Sequence, residues 1–504
     1  MPEYLRALVV VLVLATTLFA FSRRTAWLFM QEADFTRRRN IWFVLTLAAF
    51  LSHNFWLYTL IAIPVLIYAN RLETNSVTLY FFVLFALPVD GIAIPGMGVI
   101  NYLFTISHTR ILALFILLPA FFALRRQSGY IGFGRLGTDK VLLSYLVYTF
   151  IINLGATTAT DGFHLVFYLL IDVILPYLVI SRSLKNMQAF RESLLSLVLS
   201  IMLLALIGAF EIARHWLLYS DMAGALNLTE GSEGEVLGRD GMIRSVATTG
   251  QPLVLGLVIA VGIGMYLFIQ PLIQKKLNRR LGMALLAAGL FSTLSRGPWI
   301  GVAVLIFAFI ASGRNALRHL IIMLLVVSIS LPVISILPGG ERIINLLPYV
   351  GTKEQGNIQY REKLLNNAMI VIQRNPWFGS TDYMQTPEMQ EMRQGQGIID
   401  IVNSYLQITL RYGLVGLGLF VGFFALTMLG IARAMRLIAD KDSEEYMLGR
   451  ALLATLVAIL VIITTVSSIS FIPLMYWSVA GLGVAYAQMM QGRAAGERFP
   501  GNLK

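Results

Sequence analysis

Four arginines in this 504-residue chain stand apart from the basic loops that connect its apolar segments. They are Arg244 before one apolar segment, Arg296 in a Ser-Arg-Gly-Pro turn, Arg361 in a long polar stretch and Arg411 inside a later apolar segment. Guanidinium groups bind phosphate and diphosphate bidentately and need no metal to do so. Each arginine alone is compatible with a side chain that reaches lipid headgroups while its stem packs. Together they predict a site for a phosphate-bearing substrate.

Polar residues recur before the last of these arginines at helical spacing. Asn403, Gln407 and Arg411 follow one another at i, i+4 and i+8, so they share one face of a helix. A helix that faces lipid on every side cannot carry such a stripe. Hydrogen bonds to a neighbouring helix and the lining of a polar cavity both account for it, and the spacing leaves both open.

The other titratable residues favour neither metal nor nucleotide chemistry. Glu211 and His215 lie at i and i+4, where they indicate an ion pair at a membrane interface rather than a general base. No HExxH, DxD, GxGxxG or P-loop pattern occurs, and the chain has no cysteine. We therefore expect no metal, no cofactor and no thiol nucleophile.

Helices that cross a membrane must position these side chains. The composition is 57% hydrophobic and only 13% charged, about half the charged fraction of a soluble protein. Apolar runs long enough to cross a hydrocarbon core of about 30 Å recur from end to end, and backbone at that depth must bond to itself as helix. The prediction is an all-α polytopic membrane protein, a bundle of roughly 12–15 spans, without the alternation of a β-barrel. The spans lie near 5–21, 41–52, 54–69, 77–89, 109–124, 141–156, 163–181, 194–213, 250–270, 281–295, 298–312, 317–337, 404–432, 450–468 and 470–490, where 41–69 is either a tight hairpin at Ser52-His53-Asn54 or one broken helix.

The net charge of +12 is distributed as a membrane topology predicts. Lysine and arginine cluster between alternate spans, at 23–39, 125–140, 182–191, 275–280 and 314–318. The positive-inside rule places those loops in the cytoplasm, so the opposite ends of the spans face outward. This pattern disfavours nucleic acid as a partner and predicts an inner-membrane protein whose chemistry lies on the outer, periplasmic face. Ser22-Arg23-Arg24 follows the first span in place of a cleavage site, which predicts that the span is retained.

Two polar stretches fall on the predicted outer side, 214–249 and 338–403, within what we expect to be a single membrane domain over 1–504. The second contains YREKLLNNAMIVIQR, which Asn375-Pro376 terminates. Its apolar positions share one helical face, which predicts an amphipathic helix against the bundle or the membrane surface. They are Leu364, Leu365, Ala368, Met369 and Ile372. A loop of this length with its own secondary structure is more often functional than connective.

Three motifs together resemble those of the O-antigen ligase and polysaccharide polymerase superfamily. FSTLSRGPWIG (291–301) resembles its Thr-x-Ser-Arg-Gly signature, and IRSVATTGQPLVLG (243–256) resembles its arginine-containing entry to a span. YREKLLNNAMIVIQRNPWFGS (360–380) and IIDIVNSYLQITLRYGLVGLGLF (398–420) resemble its large periplasmic loop and the helix after it. The resemblance covers about residues 194–435, and the N-terminal spans are compatible only in hydropathy.

The resemblance implies a GT-C-like membrane glycosyltransferase whose donor is an undecaprenyl-diphosphate-linked oligosaccharide. Arg244, Arg296 and Arg361 match the family's arginines, whose implied role is to hold the donor diphosphate and stabilise it as a leaving group. The matching segment after the large loop supplies the residues expected to bind substrate, which are Asn403, Tyr405, Gln407 and Arg411. A reaction of this kind is metal-independent.

One position departs from the ligase branch of the family. Where the ligases have histidine before Asn-x-Tyr-Leu, this chain has Val402. The departure favours a polymerase, which transfers a growing chain to a sugar hydroxyl of another lipid-linked repeat unit. Asp400 is then the nearest acid that could serve as general base, with Asp382 and Glu362 behind it.

Three other functions stay open at this point. A ligase would move glycan onto lipid A-core or protein. A transporter or flippase would use the arginines along a path for the lipid-linked glycan, although no internal repeat supports it. A scaffold for envelope synthesis would leave the arginines dispensable. For the polymerase, the expected partners are membrane lipids, a chain-length regulator and export machinery.

Overall fold

The structure, a computed structural model, describes residues 2–96, 102–155, 158–226, 228, 238–239, 241–336, 355–394 and 397–498. Parts of the predicted outer loops, 229–237 and 337–354 among them, therefore lie outside the described residues. Within the described part the chain is mainly helical, as the apolar runs predict, and its strands form two small antiparallel hairpins.

The helices follow the predicted spans in order. They are α1 (Glu3–Ala26), α2 (Glu32–Ser52), α3 (Phe55–Arg71), α4 (Ser76–Val83), α5 (His108–Arg125), α6 (Gly137–Leu154), α7 (Thr160–Ser183), α8 (Met187–Arg214), α9 (Ser220–Ala225), α10 (Pro252–Ile269), α11 (Lys276–Ser292), α12 (Arg296–Ala311), α13 (Ala316–Ile336), α14 (Gln355–Arg374), α15 (Pro387–Gln390), α16 (Ser404–Arg436), α17 (Glu444–Ile462) and α18 (Phe471–Arg498). The strands are β1 (Gly91–Pro95) with β2 (Tyr102–Ser107), and β3 (Gly238–Arg239) with β4 (Met242–Ile243).

Seven of the described helices are long and apolar enough to cross a membrane, namely α1, α5, α7, α8, α10, α16 and α17. Shorter apolar helices accompany them, at α3, α12 and the first part of α13. The predicted fold class, an all-α multi-pass membrane protein, is confirmed.

Ser52-His53-Asn54 joins two helices rather than bending one. His53 adopts a left-handed conformation with φ 49°, and the Asn54 side chain caps α3 by accepting from the Trp56 N–H at 2.8 Å. α2 and α3 then pack against each other. Of the two interpretations of 41–69, the structure shows the hairpin.

The predicted span 77–89 is wrong in its length. α4 ends at Val83, and turns lead from there to β1. Every residue from Val77 to Leu87 is buried inside the bundle. The run is apolar because helices surround it, and a run this short does not cross a hydrocarbon core.

α8 and α10 form the centre of the bundle. In their most apolar stretches 83% and 89% of the residues are buried, and α10 contacts α8, α11, α12, α17 and α18. Small residues permit these contacts, because a Cβ on Gly289 of α11 would lie 2.4 Å from Ala205 Cβ, and one on Gly262 would lie 2.5 Å from Ile201 Cγ2. Close approach at small residues is a common way for helices to associate in a membrane. This centre holds the connections at the predicted outer end in fixed positions.

α16 is not one continuous span. Gly413 has φ 63° and ψ −170°, which divides α16 into a short first part and a long second part. A side chain at Gly413 would collide with Trp377, because a Cβ would lie 2.3 Å from the carbonyl carbon of that residue. The N–H of Leu414, which the break releases, donates instead to the carbonyl oxygen of Pro376 at 2.8 Å. The span predicted at 404–432 therefore begins only after the break.

The short first part of α16 packs with α14 and α15 outside the bundle. Their buried side chains form a second hydrophobic cluster, which we call the outer cluster: Leu364, Ala368, Val371, Ile372, Tyr383, Met389, Met392, Ile401, Leu406 and Leu410. The predicted amphipathic helix is present as α14, but two residues of its predicted face, Leu365 and Met369, are 49% and 45% exposed. Val371 is buried in their place, because α14 packs along α16 and α15 through a narrower face than the sequence pattern offered.

Candidate active site

The turn between α11 and α12 holds Arg296. Leu294 is fully buried in a left-handed conformation with φ 46°, so the chain turns sharply and α12 begins at Arg296. Gly297 follows because a Cβ there would lie 2.1 Å from Thr465 Oγ1, and Pro298 packs against α10. The glycine and proline of the Ser-Arg-Gly-Pro motif are therefore packing residues, and the arginine side chain is half-buried at the surface of the turn.

Arg244 lies directly on this turn. Its Nε donates to the carbonyl oxygen of Thr293 at 3.2 Å, and its Nη2 donates to Ser295 Oγ at 2.8 Å. The next residue, Ser245, is buried and donates its N–H to the last carbonyl of α11 at 3.1 Å. The structure thus brings two of the predicted arginines together, because the Arg244 guanidinium sits against the residues immediately before Arg296.

A buried carboxylate from α8 holds the segment that carries Arg244. Glu211 is 0% exposed, and its Oε2 accepts from the N–H groups of Val246 and Ala247, both at 3.0 Å. Its Oε1 accepts from the N–H of Leu218 at 3.1 Å. Ala247 has φ 46°, a conformation that is costly for a residue with a side chain and that these hydrogen bonds help to fix.

The predicted ion pair between Glu211 and His215 is wrong. α8 ends at Arg214, and His215 follows in a left-handed conformation with φ 52° and an exposed side chain. Glu211 points into the protein, where backbone N–H groups bind both of its carboxylate oxygens. Helical spacing does not apply to the pair because the helix ends between them.

The connection between α17 and α18, residues 463–470, joins the turn to the rest of the predicted outer end. Thr465 contacts Gly297 beside Arg296, so the connection lies against the start of α12. Ser470 Oγ donates to the carbonyl oxygen of Thr249 at 3.2 Å, which ties the connection to the Arg244 segment as well. The sequence prediction includes 463–468 in the span 450–468, which is wrong because α17 ends at Ile462. The signal that could have found the connection is the density of serine and threonine in ITTVSSIS.

Arg361 and Asp400 meet on the α17–α18 connection. Arg361 Nη2 donates to the carbonyl oxygen of Thr465 at 3.4 Å, and Ser467 Oγ donates to Asp400 Oδ1 at 3.3 Å. Loss of water around the carboxyl raises the pKa of Asp400, while the Ser467 hydrogen bond and the positive charge of Arg361 oppose that rise. The arrangement places a carboxylate of increased basicity beside a third arginine.

Asp400 is the acid, among the three considered as bases, that contacts this connection within the described residues. All three residues are exposed, so the contact with Ser467 and not burial distinguishes Asp400. The Ser380 hydroxyl accepts from the backbone N–H of Asp382 at 3.3 Å. Neither the Asp382 nor the Glu362 side chain makes a hydrogen bond to the α17–α18 connection or to the turn between α11 and α12 in the part of the chain that the structure describes. The role of Asp400 as base remains a prediction, and its position on the α17–α18 connection is compatible with that role.

The residues of the polar stripe of α16 make separate contacts with three parts of the protein. Asn403 Oδ1 caps the helix by accepting from the N–H groups of Tyr405 and Leu406 at 2.9 and 3.1 Å. The Tyr405 hydroxyl donates to a backbone carbonyl of α17 at 2.9 Å, and Gln407 Oε1 accepts from a backbone N–H of the α17–α18 connection at 3.4 Å. Arg411 lies further along and bonds to α6. Hydrogen bonding between helices therefore accounts for these contacts, and substrate binding by the stripe stays a prediction.

Residues 281–421 match the family model described as O-antigen ligase. None of the curated proteins compared with the chain matches it. The matched segment contains the turn with Arg296 and the outer cluster, whereas Arg244 precedes it. The resemblance to the O-antigen ligase and polysaccharide polymerase superfamily is confirmed over this segment, and it supports a multi-pass membrane glycosyltransferase of the O-antigen ligase or polymerase type.

Proposed function

We propose that the protein is a polysaccharide polymerase of the bacterial inner membrane. It transfers a glycan chain from undecaprenyl diphosphate to a sugar hydroxyl of another lipid-linked repeat unit at the periplasmic face. The observation that carries this assignment is the seating of Arg244 on the turn immediately before Arg296. The family match supports the reaction class, and Val402 in place of the ligase histidine favours polymerisation over ligation.

The two adjacent arginines act on the leaving group. The acceptor oxygen attacks the anomeric carbon of the donor sugar, and the bond from that carbon to the diphosphate oxygen breaks. Negative charge then develops on the departing undecaprenyl diphosphate, where Arg244, Arg296 and the N-terminus of α12 stabilise it. Removal of one preformed donor of this kind lowers a rate by about 100- to 1000-fold.

The proton of the acceptor hydroxyl passes to Asp400. A base is most effective when its pKa lies near the working pH, and the raised pKa of Asp400 moves it in that direction. Arg361 keeps the carboxylate charged after partial loss of its water. Asp400 and Arg361 both bond to the α17–α18 connection, and Thr465 of that connection packs against Gly297 beside Arg296. The same segment therefore positions the acid relative to Arg296.

Arginine substitutions in cells test this function. In a strain that lacks the native gene, we expect Arg244→Ala and Arg296→Ala to abolish polymer and to leave single repeat units on undecaprenyl diphosphate. Arg393→Ala is the matched control, because within the described residues that exposed arginine of the outer region bonds to Gln390 nearby and to none of the candidate site residues. Immunoblots of membrane fractions confirm equal insertion. Polymer of normal length in both active-site variants would exclude the proposed function.

A ligase is the second candidate, and the description of the matched family favours it. It would transfer the finished chain to lipid A-core or to protein, using the same two arginines on the same leaving group. Deletion of the gene distinguishes the two, since cells without a polymerase accumulate single lipid-linked repeat units and cells without a ligase accumulate long lipid-linked chains.

A further inference from the structure

Arg411 is a half-buried cation whose only hydrogen bond among the described residues is to a neutral side chain. Its Nη2 donates to Asn153 Oδ1 of α6 at 2.5 Å. Its Nε is buried and has no hydrogen-bond partner among the described residues, and no ion pair of the described chain includes it. Buried arginines near the opposite end of the bundle are paired with carboxylates, as Arg182 is with Asp139 and Arg38 with Glu73.

An unpaired guanidinium that has lost part of its water is unfavourable unless an anion compensates it. The surrounding groups hold it in one orientation without neutralising it. Asn153 Nδ2 donates to the Tyr412 hydroxyl at 3.2 Å, and the Tyr148 hydroxyl donates to the Tyr412 carbonyl at 2.8 Å. The Arg411 guanidinium also lies 5.7 Å from the centre of the Tyr412 ring. The environment is therefore built for a fixed positive charge.

The break in α16 shows where this charge lies relative to the membrane. Before Gly413, Leu406 and Leu410 are buried in the outer cluster. After it, apolar side chains such as Leu414 and Val421 are 44% and 45% exposed, which is typical of a surface that faces lipid. Arg411 precedes the break by two positions, which is where this change in exposure predicts the depth of the headgroups.

Exposed aromatic residues beside the break support the same depth. Trp377 and Phe378 are 62% and 61% exposed, and the carbonyl oxygen of Trp377 accepts from the N–H of Val415 at 3.2 Å. Tryptophan and other aromatic side chains concentrate at the membrane–water interface. They would stand beside a lipid whose phosphate reaches Arg411.

We propose that Arg411, held by Asn153 and flanked by Trp377 and Phe378, binds the phosphate of a lipid in the outer leaflet. This site is separate from the Arg244–Arg296 turn, because Arg411 lies seven residues, or about 10 Å, along the helix from Ser404, which contacts the α17–α18 connection. The phosphate belongs either to a second undecaprenyl diphosphate, which an acceptor repeat unit would carry, or to an anionic phospholipid. The site exists whichever glycosyl transfer the protein performs.

Lipid stoichiometry tests the second site. Purified protein is titrated with undecaprenyl diphosphate and, separately, with phosphatidylglycerol, and bound lipid is counted by native mass spectrometry. Wild type binds two equivalents of undecaprenyl diphosphate if the acceptor lipid is the source, and one equivalent plus one tight phosphatidylglycerol if a phospholipid is. In either case Arg411→Gln weakens one binding event by about ten- to hundredfold, and Arg411→Lys weakens it less.

Controls separate this inference from the proposed function. Arg393→Gln leaves both stoichiometries unchanged, and a monodisperse elution profile shows that each variant is folded. Wild-type affinity and stoichiometry for both lipids in Arg411→Gln would overturn the second site, whatever happens at the turn. Unchanged binding of undecaprenyl diphosphate in Arg244→Gln/Arg296→Gln would instead overturn the proposed function and leave the Arg411 site standing.

Discussion

Replacement of Glu211 by glutamine tests whether this carboxylate holds the Arg244 segment in position, without changing Arg244 itself. The carboxylate accepts three backbone N–H groups, two of them from the segment that carries Arg244. An amide has a single acceptor oxygen, so at least one buried N–H loses its partner and faces an NH₂ group instead. Each such unsatisfied group costs about 1–3 kcal/mol. We therefore expect Glu211→Gln to be less stable by about that amount and to displace the Arg244 segment from the turn.

Two measurements on purified protein check this expectation. Thermal unfolding in detergent reports the stability, and the rate of chain extension from lipid-linked repeat units reports the position of Arg244. Extension falls by about tenfold or more if the displacement removes one charged hydrogen-bond donor from the leaving group. Glu32→Gln is the matched control, because that carboxylate is exposed and pairs with the equally exposed Arg23. Wild-type stability and rate in Glu211→Gln would refute the supporting role.

Two further predictions concern the α17–α18 connection and the residues it supports. Gly297→Ala places a Cβ 2.1 Å from Thr465 Oγ1, so overpacking should lower the free energy of unfolding by about 1–3 kcal/mol in a thermal melt. Gly418→Ala is the control, because a Cβ there would have nothing within 4 Å, and it should be neutral or slightly stabilising. The raised pKa of Asp400 means that activity falls, as pH decreases, at a higher pH than for a carboxyl in water. Arg361→Gln should move this acid limb of the pH–rate profile further upward, because the arginine lowers that pKa, and an unmoved limb would exclude Asp400 as the titrating base.

Much of the helical framework is predictable because hydropathy reports the membrane directly. The break at Gly413 is not, since the apolar pattern of 404–432 continues through it and only the docking of Trp377 requires it. The run at 77–89 fails for the opposite reason, because burial among helices and contact with lipid select the same apolar residues.

The candidate site also has parts that the sequence predicts and parts that only the fold creates. The motifs around Arg244 and Arg296 indicate that both face the same end of the bundle, and the structure packs the Arg244 side chain against the turn that precedes Arg296. The support from Glu211 leaves no sequence signal, because its partners are backbone N–H groups more distant in the chain. The α17–α18 connection is equally hidden, since serine and threonine there act mainly through backbone contacts that the fold alone creates.

The most direct test of the paired arginines is chain extension by purified protein supplied with a lipid-linked repeat unit alone. Wild type should produce a ladder of lengthened chains and release one undecaprenyl diphosphate for each linkage formed. Arg296→Gln and Arg244→Gln should each reduce that release by about 100-fold or more, with Arg393→Gln unchanged. Release at the wild-type rate from both variants, with the ladder intact, would contradict the assignment of these arginines to the leaving diphosphate.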